Sequence, residues 1–211
     1  MTRLIWGADG ERFFEAGVDR GVLYMAGIPG VPWNGLKAVS ESPSGGSPEP
    51  YYIDGMKYAN VATAEEFNAT LEAYSSPIEF AACDGSLQLA AGLFATQQPR
   101  KSFGLSYRTT VGDDISGLGG GHKIHLVYNA LASPSGRSNN SMGQEVDPLG
   151  LSWNISTRPP IATGYKATAH LVIETRELDP TVLLELEDAL YGNLATTPSL
   201  PTQAEIIALL S

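Results

Sequence analysis

The centre of the chain alternates between apolar and polar side chains. This period of two recurs in four segments, at residues 103–110, 123–130, 151–156 and 167–174. It predicts β-strands, because successive side chains of a strand point to opposite faces of its sheet. Four strands that each have one apolar and one polar face are typical of an antiparallel sandwich or barrel.

Two further strands are predicted nearer the start of the chain, at residues 18–26 and 33–41. The segment between them is rich in glycine and proline, which indicates a turn. Residues 42–50 have the sequence SPSGGSPEP, and we predict that they form a projecting loop. A domain linker is the weaker interpretation, because the sequence before this stretch is too short for a sizeable core of its own.

The segment 63–74 carries two conflicting signals. Thr63 and Glu66 have the spacing of a capping box, which favours a helix start, whereas the alternation from Phe67 onward favours a strand. We predict a single helical turn to about Phe67, followed by a strand. Long loops are predicted where Gly, Ser and Pro are frequent, at 111–122, 132–148 and 158–164.

The end of the chain changes to helical signals. Asp179 precedes Pro180, which is the arrangement of an N-cap followed by proline at the first helical position, and this helix should end near Gly192. Thr202 and Glu205 form a second capping box. The predicted fold is therefore a mainly β, antiparallel sandwich or barrel with a flanking α-helix, a short C-terminal helix and long inter-strand loops. We expect a single domain over residues 1–211, with a helical segment at about 180–211.

Charge and composition narrow the classes of function. The 211 residues carry a formal net charge of −10, and the largest basic cluster is the pair Arg100 and Lys101. Tight electrostatic capture of nucleic acid is therefore not expected, although an acidic passage would let DNA slide without sticking. There is no apolar signal-peptide stretch and no apolar run near the roughly 20 residues of a membrane helix. We expect a soluble protein, made in the cytosol and without a membrane partner.

The histidines do not form a metal motif in the sequence. His122 and His125 are three residues apart, so on one strand they point to opposite faces and cannot share a metal. His170 stands alone on the polar face of its own strand. We interpret all three as surface or interface residues and predict no metal site.

Catalytic motifs are also missing. The glycine-rich stretch 117–122 has no Lys-Ser/Thr and precedes a strand, so it is interpreted as a flexible loop. No GxSxG motif occurs, and Cys83 is expected to pack as a small apolar residue. Asp113 and Asp114 are adjacent in a glycine-flanked turn, which favours a solvated tip over an acid–base pair. We predict no catalytic, metal or cofactor residues, and we expect that the protein is not an enzyme.

An ordered series of short strings resembles the major tail (tail tube) proteins of long-tailed bacteriophages of Gram-positive hosts. Each string is weak alone, but their common order covers the chain from about residue 31 to its end. The strings are VPWNGL (31–36), SPSGG (42–46), PYYIDG (50–55), AEEF (64–67), EAY (72–74), EFAACDG (79–85), PRKSFGLSYRT (99–109), HLVYNA (125–130) and LPTQAEIIAL (200–209).

The resemblance implies a β-sandwich or barrel whose copies form six-membered rings. Inner strands would join into a β-lined channel, rings would stack, and extended loops would reach into adjacent rings. The implied partners are other copies of the chain and other tail proteins (tape measure, tail tip and terminator), with phage DNA passing through the bore without tight binding. The implied location is the virion tail, after a period in the host cytoplasm. The family has no catalytic residues to carry over.

The alternation and the loop composition suggest which residues make these contacts. The predicted inter-subunit residues are Phe103, Leu105, Tyr107, Arg108, His125, Val127 and Asn129 on strands, and Ser44, Gly45 and Gly46 in the loop. The predicted acidic bore residues are Asp113 and Asp114.

Two rival functions stay open. One is another β-rich virion component, such as a capsid decoration or tail-tip protein. The other is a carbohydrate-binding or hydrolytic β-sandwich that uses Trp33, Trp153 or the Tyr51-Tyr52 pair as a sugar platform. Core or interface packing is the preferred interpretation of these aromatic residues.

Overall fold

The computed structural model describes residues 3–4, 6–141 and 148–211. Strands dominate the described residues, as the period-two segments predict, and two helices close the chain. The elements are β1 (Phe14–Tyr24), β2 (Val31–Pro32), β3 (Leu36–Glu41), β4 (Ser44–Gly45), β5 (Pro48–Ile53), β6 (Met56–Ala62), β7 (Glu65–Glu66), β8 (Asn68–Ala73), β9 (Leu87–Ala90), β10 (Leu93–Ala95), β11 (Phe103–Asp113), β12 (Gly117–Ala132), β13 (Leu151–Thr157), β14 (His170–Glu174), α1 (Pro180–Tyr191) and α2 (Gln203–Leu210). Two 3₁₀ turns span Ile78–Ala82 and Thr175–Glu177.

The main sheet is antiparallel and branches at its longest strand, β12. Its order is β2-β1-β11-β12-β13-β8-β3, with β14 also paired to β12. One edge of β12 is shared: residues 123–127 pair with β14, whereas residues 130–132 pair with β13. The sheet therefore divides into two arms. We call β1, β11, β12 and β14 the four-strand wall. The mainly β fold with two C-terminal helices is confirmed.

The first core lies between the two arms and is rich in aromatic rings. The ring of Phe80 lies 4.6 Å from Trp33, 5.1 Å from Trp153 and 5.3 Å from Phe103, measured between centroids. Both indole N–H groups are satisfied, because Trp33 donates to the carbonyl of Ser75 and Trp153 donates to the carboxylate of Asp84. The preferred interpretation of Trp33 and Trp153 as core residues is confirmed. Cys83 is also fully buried here, as expected.

The second core lies on the other face of the wall, under the helices. Ile124, Leu126 and Tyr128 of β12 face this side, and Leu186 and Leu190 of α1 pack against them. The intervening Val127 belongs to the first core. The centre of β12 is therefore buried on both faces. In the neighbouring strand β11, the face that carries the polar residues is also covered, although the alternation predicts that it faces solvent.

The helix boundaries follow the capping signals in the sequence. The side chain of Asp179 accepts a hydrogen bond from the backbone N–H of Thr181, and Pro180 occupies the first turn. The capping box of Thr202 and Glu205 is formed in both directions at the start of α2. Both predicted helices are confirmed.

Three local predictions are wrong. Residues 65–66 form strand β7, so no helical turn precedes β8. The predicted loop 111–122 is a tight hairpin instead, because the Asp113 carboxylate accepts hydrogen bonds from the backbone N–H groups of Ile115 and Ser116 and closes the turn. Residues 44–45 and 48–53 are strands rather than a loop, since each pairs with a later segment of the chain.

The two other predicted loops differ in outcome. Residues 158–164 contain no helix or strand, so that loop is confirmed. The loop predicted at 132–148 lies partly outside the described residues. Of its described part, Ala132 is the last residue of β12, and residues 133–141 and 148 have no regular structure.

Replacing Leu186 with alanine should destabilise the subunit by about 2–5 kcal/mol, because it leaves a cavity between α1 and the wall. Leu184 lies two residues away on the same helix and is 59% exposed, so Leu184→Ala should change the free energy of unfolding by less than about 0.5 kcal/mol. Denaturant-induced unfolding of both variants measures the difference. Equal losses would contradict the assignment of the second core.

Candidate assembly surfaces

A two-stranded ribbon extends from the end of strands β3 and β8. The ladder between these strands continues as β4 paired with β7 and then as β5 paired with β6. We call residues 44–66 the projecting ribbon. At roughly 3.3 Å per residue, the ten residues of its first side span roughly 30 Å. Its outer strands pair only with each other within the described chain.

One face of the projecting ribbon is mainly apolar, and no other described element covers it. Glu49 opposes Val61 and Ile53 opposes Met56, while Tyr51 lies between them on the same face. The exposed fractions are 54% for Tyr51, 53% for Ile53, 73% for Met56 and 54% for Val61. A lone two-stranded hairpin is at best marginally stable in water, and an exposed apolar patch usually marks a binding surface. The ribbon therefore has the properties of an element that is completed by a partner.

The sequence contains a local signal for this ribbon, although the Gly, Ser and Pro content of residues 42–50 favours a loop. Asp54-Gly55 lies between apolar residues, which is a strong local indication of a two-residue hairpin. Both residues adopt positive φ, 52° and 76°, as that type of turn requires.

The predicted loop residues lie where the ribbon leaves the body of the subunit. Ser44 accepts a hydrogen bond from the Asn68 side chain at 2.8 Å. Gly45 and Gly46 have φ of 79° and 72°, and a Cβ at Gly45 would collide with the carbonyl oxygen of Ala64. These residues form the base of the ribbon, and their contact with another subunit stays a prediction.

A second exposed hairpin consists of β9 and β10. Leu87, Leu89 and Leu93 are 52%, 62% and 56% exposed, and these two strands form a separate two-stranded sheet. The N-terminal segment adds Trp6, which is 80% exposed. These two hairpins and the N-terminal segment are among the described parts of the chain that expose large apolar side chains.

The four-strand wall has two free backbone edges. At one end, β1 pairs with β11 from Phe14 onward, but β2 covers its other edge only at Val22 and Leu23. At the other end, β14 pairs with β12 and has no second neighbour among the described strands. Unpaired strand edges are templates for pairing with another chain.

Most of the predicted inter-subunit strand residues are buried within the subunit. Phe103, Leu105, Tyr107 and Val127 are at most 3% exposed, and they belong to the first core. Strands β11 and β12 lie inside the sheet, so the free edges are on β1 and β14 instead. This corrects the expectation that β11 and β12 supply open edges, and a role of these residues between subunits stays a prediction.

Asn129, in contrast, is exposed. It has a positive φ of 49°, and its side chain donates a hydrogen bond to the carbonyl of Arg158.

Arg108 forms ion pairs on the face of the wall that carries the helices. Its guanidinium donates two hydrogen bonds to Asp19, at 2.7 and 2.8 Å, across the β1–β11 ladder. Glu187 of α1 lies 3.7 Å from the same group, and His122 lies 3.6 Å from Glu187. The paired Arg108 lowers the pKa of the Asp19 carboxyl below its usual value.

The two predicted bore residues have structural partners. Asp113 closes the β11–β12 turn, and the backbone N–H groups of Ser116 and Ile115 lower the pKa of its carboxyl. Asp114 accepts a hydrogen bond from the backbone of Gly10 and lies 3.3 Å from the Arg12 guanidinium. The pair therefore ties the hairpin tip to the N-terminal segment, and a position in a bore stays a prediction.

His125 is not a surface residue, and His170 is not alone. His125 is 7% exposed, and its Nδ1 lies 3.1 Å from Nε2 of His170. Both rings lie beside the carboxylate of Glu41, at the end of β3. Both expectations are corrected for a topological reason: β12 and β14 pair so that His125 opposes Val172 and His170 opposes Val127. The two histidines are therefore diagonal neighbours on one face, which no spacing along the chain could reveal.

No helix in the described part of the chain is long and apolar enough to cross a membrane.

Comparison with known proteins gives a partial likeness of fold. No protein-family model and no curated protein matches the chain. The chain is similar to one from the cryo-EM structure of the anti-feeding prophage baseplate, with a TM-score of 0.40 and 10% identity over 83% of this chain and 100% of that chain. It is also similar to one from the anti-feeding prophage cap, the tube-terminating cap, with a TM-score of 0.36 and 11% identity over 82% of this chain and 96% of that chain. Likenesses at this level assign no function.

The Asp19–Arg108 pair should make stability depend on pH in the acid range. Because the folded-state pKa of Asp19 is lowered, its contribution is complete above the unfolded value of about 3.9 and is lost as the pH falls through the folded value. Asp19→Asn should therefore unfold at lower denaturant concentration than the native protein at pH 7, and this difference should vanish towards about pH 2. Glu49→Gln, on the exposed ribbon, is the matched control. A constant difference across this range would contradict the assigned pair.

Proposed function

We propose that this chain is a structural subunit of a bacteriophage tail that joins copies of itself into rings, which stack to form the tail tube. In this role it is not an enzyme. The observation that carries the proposal is the four-strand wall, whose two free edges lie at opposite ends of one sheet. The ordered strings that resemble tail tube proteins support the same function.

Two different free edges favour a closed ring. A joint between β14 of one subunit and the β1 edge of the next is heterologous, and a heterologous joint either closes into a ring or continues as a filament. Ring closure pairs both free edges of the wall, which removes the aggregation hazard that these two edges carry. Register shifts interrupt β1 after Ala16, so the regular part of its edge is Phe14–Ala16.

The orientation of the backbone in β14 suits this joint. The carbonyl of Ala169 accepts a hydrogen bond from Tyr128 of β12. Because backbone groups alternate in direction along a strand, Leu171 also faces β12, whereas the N–H of Val172 faces the free edge. The side chain of Val172 is 50% exposed and, like other strand side chains, points away from the plane of the sheet, so it does not block a strand that approaches the edge.

The projecting ribbon supplies a different contact, between rings. No other described residue of the subunit covers its apolar face, and its length of roughly 30 Å reaches well beyond the sheet it leaves. The occupant that we propose is a second copy of this chain in the adjacent ring, which would cover Tyr51, Ile53, Met56 and Val61. Burial of these side chains would stabilise the stack by the hydrophobic effect.

The aromatic residues weigh against a sugar-binding function, and the net charge is compatible with the tube. The net charge of −10 suits a passage that DNA crosses without binding. Trp33 and Trp153 lie in the core, so they offer no sugar platform. Tyr51 and Tyr52 are exposed but adjacent on one strand, so they point to opposite faces of the ribbon. Another β-rich component of the virion is the second candidate, and the free edges favour it equally until stacking is measured.

Electron microscopy of the purified protein over a range of concentration and salt tests the function. Hollow tubes or stacked rings are the expected result. Single rings that never stack would indicate another virion component. A protein that stays monomeric, also with tail-tip components added, would contradict the tube.

Val172→Pro tests the ring joint. Proline removes the N–H that faces the free edge and leaves the ladder to β12 intact. We expect normal circular dichroism but no rings or tubes. Val172→Thr keeps the N–H and a β-branched side chain, so this control should assemble like the native protein. Assembly of the proline variant at native concentrations would exclude β14 as the joint.

The double change Ile53→Ser and Met56→Ser tests the stacking contact. It removes apolar area from the tip of the ribbon, so rings should form but stack only at higher protein concentration. The control is Ile161→Ser with Leu194→Ser, at two positions that are 99% and 110% exposed and lie outside the ribbon. Light scattering and microscopy measure the stacked fraction. Equal stacking of both double variants would contradict the ribbon's role.

A further inference from the structure

We propose that Glu41, His125 and His170 form a binding site for a divalent transition metal ion of the zinc class. The three residues come from the end of β3, the middle of β12 and the start of β14. The site is independent of the assembly role, because its ligands all belong to one subunit.

The distances among the three ligand atoms match a metal site. Nδ1 of His125 lies 3.1 Å from Nε2 of His170 and 3.6 Å from Oε1 of Glu41, and the last two atoms are 3.9 Å apart. Zinc binds nitrogen and carboxylate oxygen at about 2.0–2.2 Å, so the ligand atoms of a tetrahedral site are roughly 3.3–3.6 Å apart. Shifts of a few tenths of an ångström bring the three atoms to that spacing.

Neighbouring side chains already orient two of the ligands. The Thr109 hydroxyl lies 3.5 Å from a carboxylate oxygen of Glu15 and 3.1 Å from Nε2 of His125, so when it donates to Glu15 it accepts from the Nε2–H of His125. That tautomer leaves the lone pair of His125 Nδ1 directed into the site. The Tyr107 hydroxyl donates to Glu41 Oε1 at 2.8 Å, and its ring stacks on His125 at 4.5 Å. Supporting hydrogen bonds of this kind are typical of metal-binding histidines and carboxylates.

The two rings can exchange their hydrogen bond for a metal ion without losing a proton. When Nε2 of His125 carries its proton, Nε2–H of His170 donates to Nδ1 of His125 in the metal-free protein, at 3.1 Å. Metal binding to these two atoms then moves the His170 proton to its Nδ1.

The site is accessible from solvent. A cavity of about 360 Å³ lies beside Glu41 and His170 and is also lined by Phe67, Lys166 and Thr168. Water in this cavity can provide the fourth ligand that a three-residue site leaves open. A bound ion would also link β3, which leads into the projecting ribbon, to β12 and β14 of the wall.

Titration of the untagged, chelator-treated protein with Co²⁺ and with Zn²⁺ tests the site. Co²⁺ reports four-coordinate geometry by its visible absorption, and calorimetry with Zn²⁺ gives the stoichiometry and affinity. We expect one ion per chain. His170→Gln and Glu41→Gln should each weaken binding by at least about 100-fold, and Thr109→Val should weaken it by about 10- to 100-fold.

His122→Gln is the matched control, because this third histidine faces Glu187 on the opposite side of the wall. It should bind both metals like the native protein. Circular dichroism establishes that each variant is folded, and Glu41 is 40% exposed, so its replacement should not disrupt the core. Absence of binding to the native protein, or equal binding by His170→Gln, would overturn the proposal.

Discussion

The burial of both faces of β12 is the constraint on which the rest of the structure depends. Side chains on one face of β12 pack in the first, aromatic core, and side chains on the other face pack against the helices in the second core. Because this strand is also long enough to pair with two partners along one edge, it divides the sheet into two arms. The helices, the wall and the arm that leads to the ribbon all meet on this strand. A polar substitution for an apolar residue at its centre would therefore disturb the first or the second core, depending on the face to which that side chain points.

The core of the subunit is well packed, whereas several strand edges and apolar side chains at its surface have no partner within the described chain. Core side chains are packed, and the buried indole N–H groups of Trp33 and Trp153 are hydrogen-bonded. Outside this core, the two free edges of the wall and two apolar hairpins have no partner within the described chain. Contacts between copies of the chain would pair these strand edges and bury these apolar side chains. The proposed tube is based on such contacts.

The sequence predicts local features well and long-range ones poorly. Alternation located β11 to β14 and the capping residues located both helices, because these signals lie within a few residues of one another. The branching of β12 could not be predicted, since it depends on which strands meet. For the same reason, the sequence does not predict that His125 and His170 are neighbours. The turn at Asp113 and the hairpin at Asp54-Gly55 were in principle readable from local turn chemistry.

The two free edges of the wall differ in sequence and in regularity, since β1 is bulged and β14 is not. In a ring closed through such unlike edges, every subunit points the same way around the circle, and no two-fold axis lies in the plane of the ring. The upper and lower surfaces of the ring are then chemically distinct. If the upper surface of each ring contacts the lower surface of the next, the stack is polar and its two ends are unlike, so different proteins can begin and stop its growth.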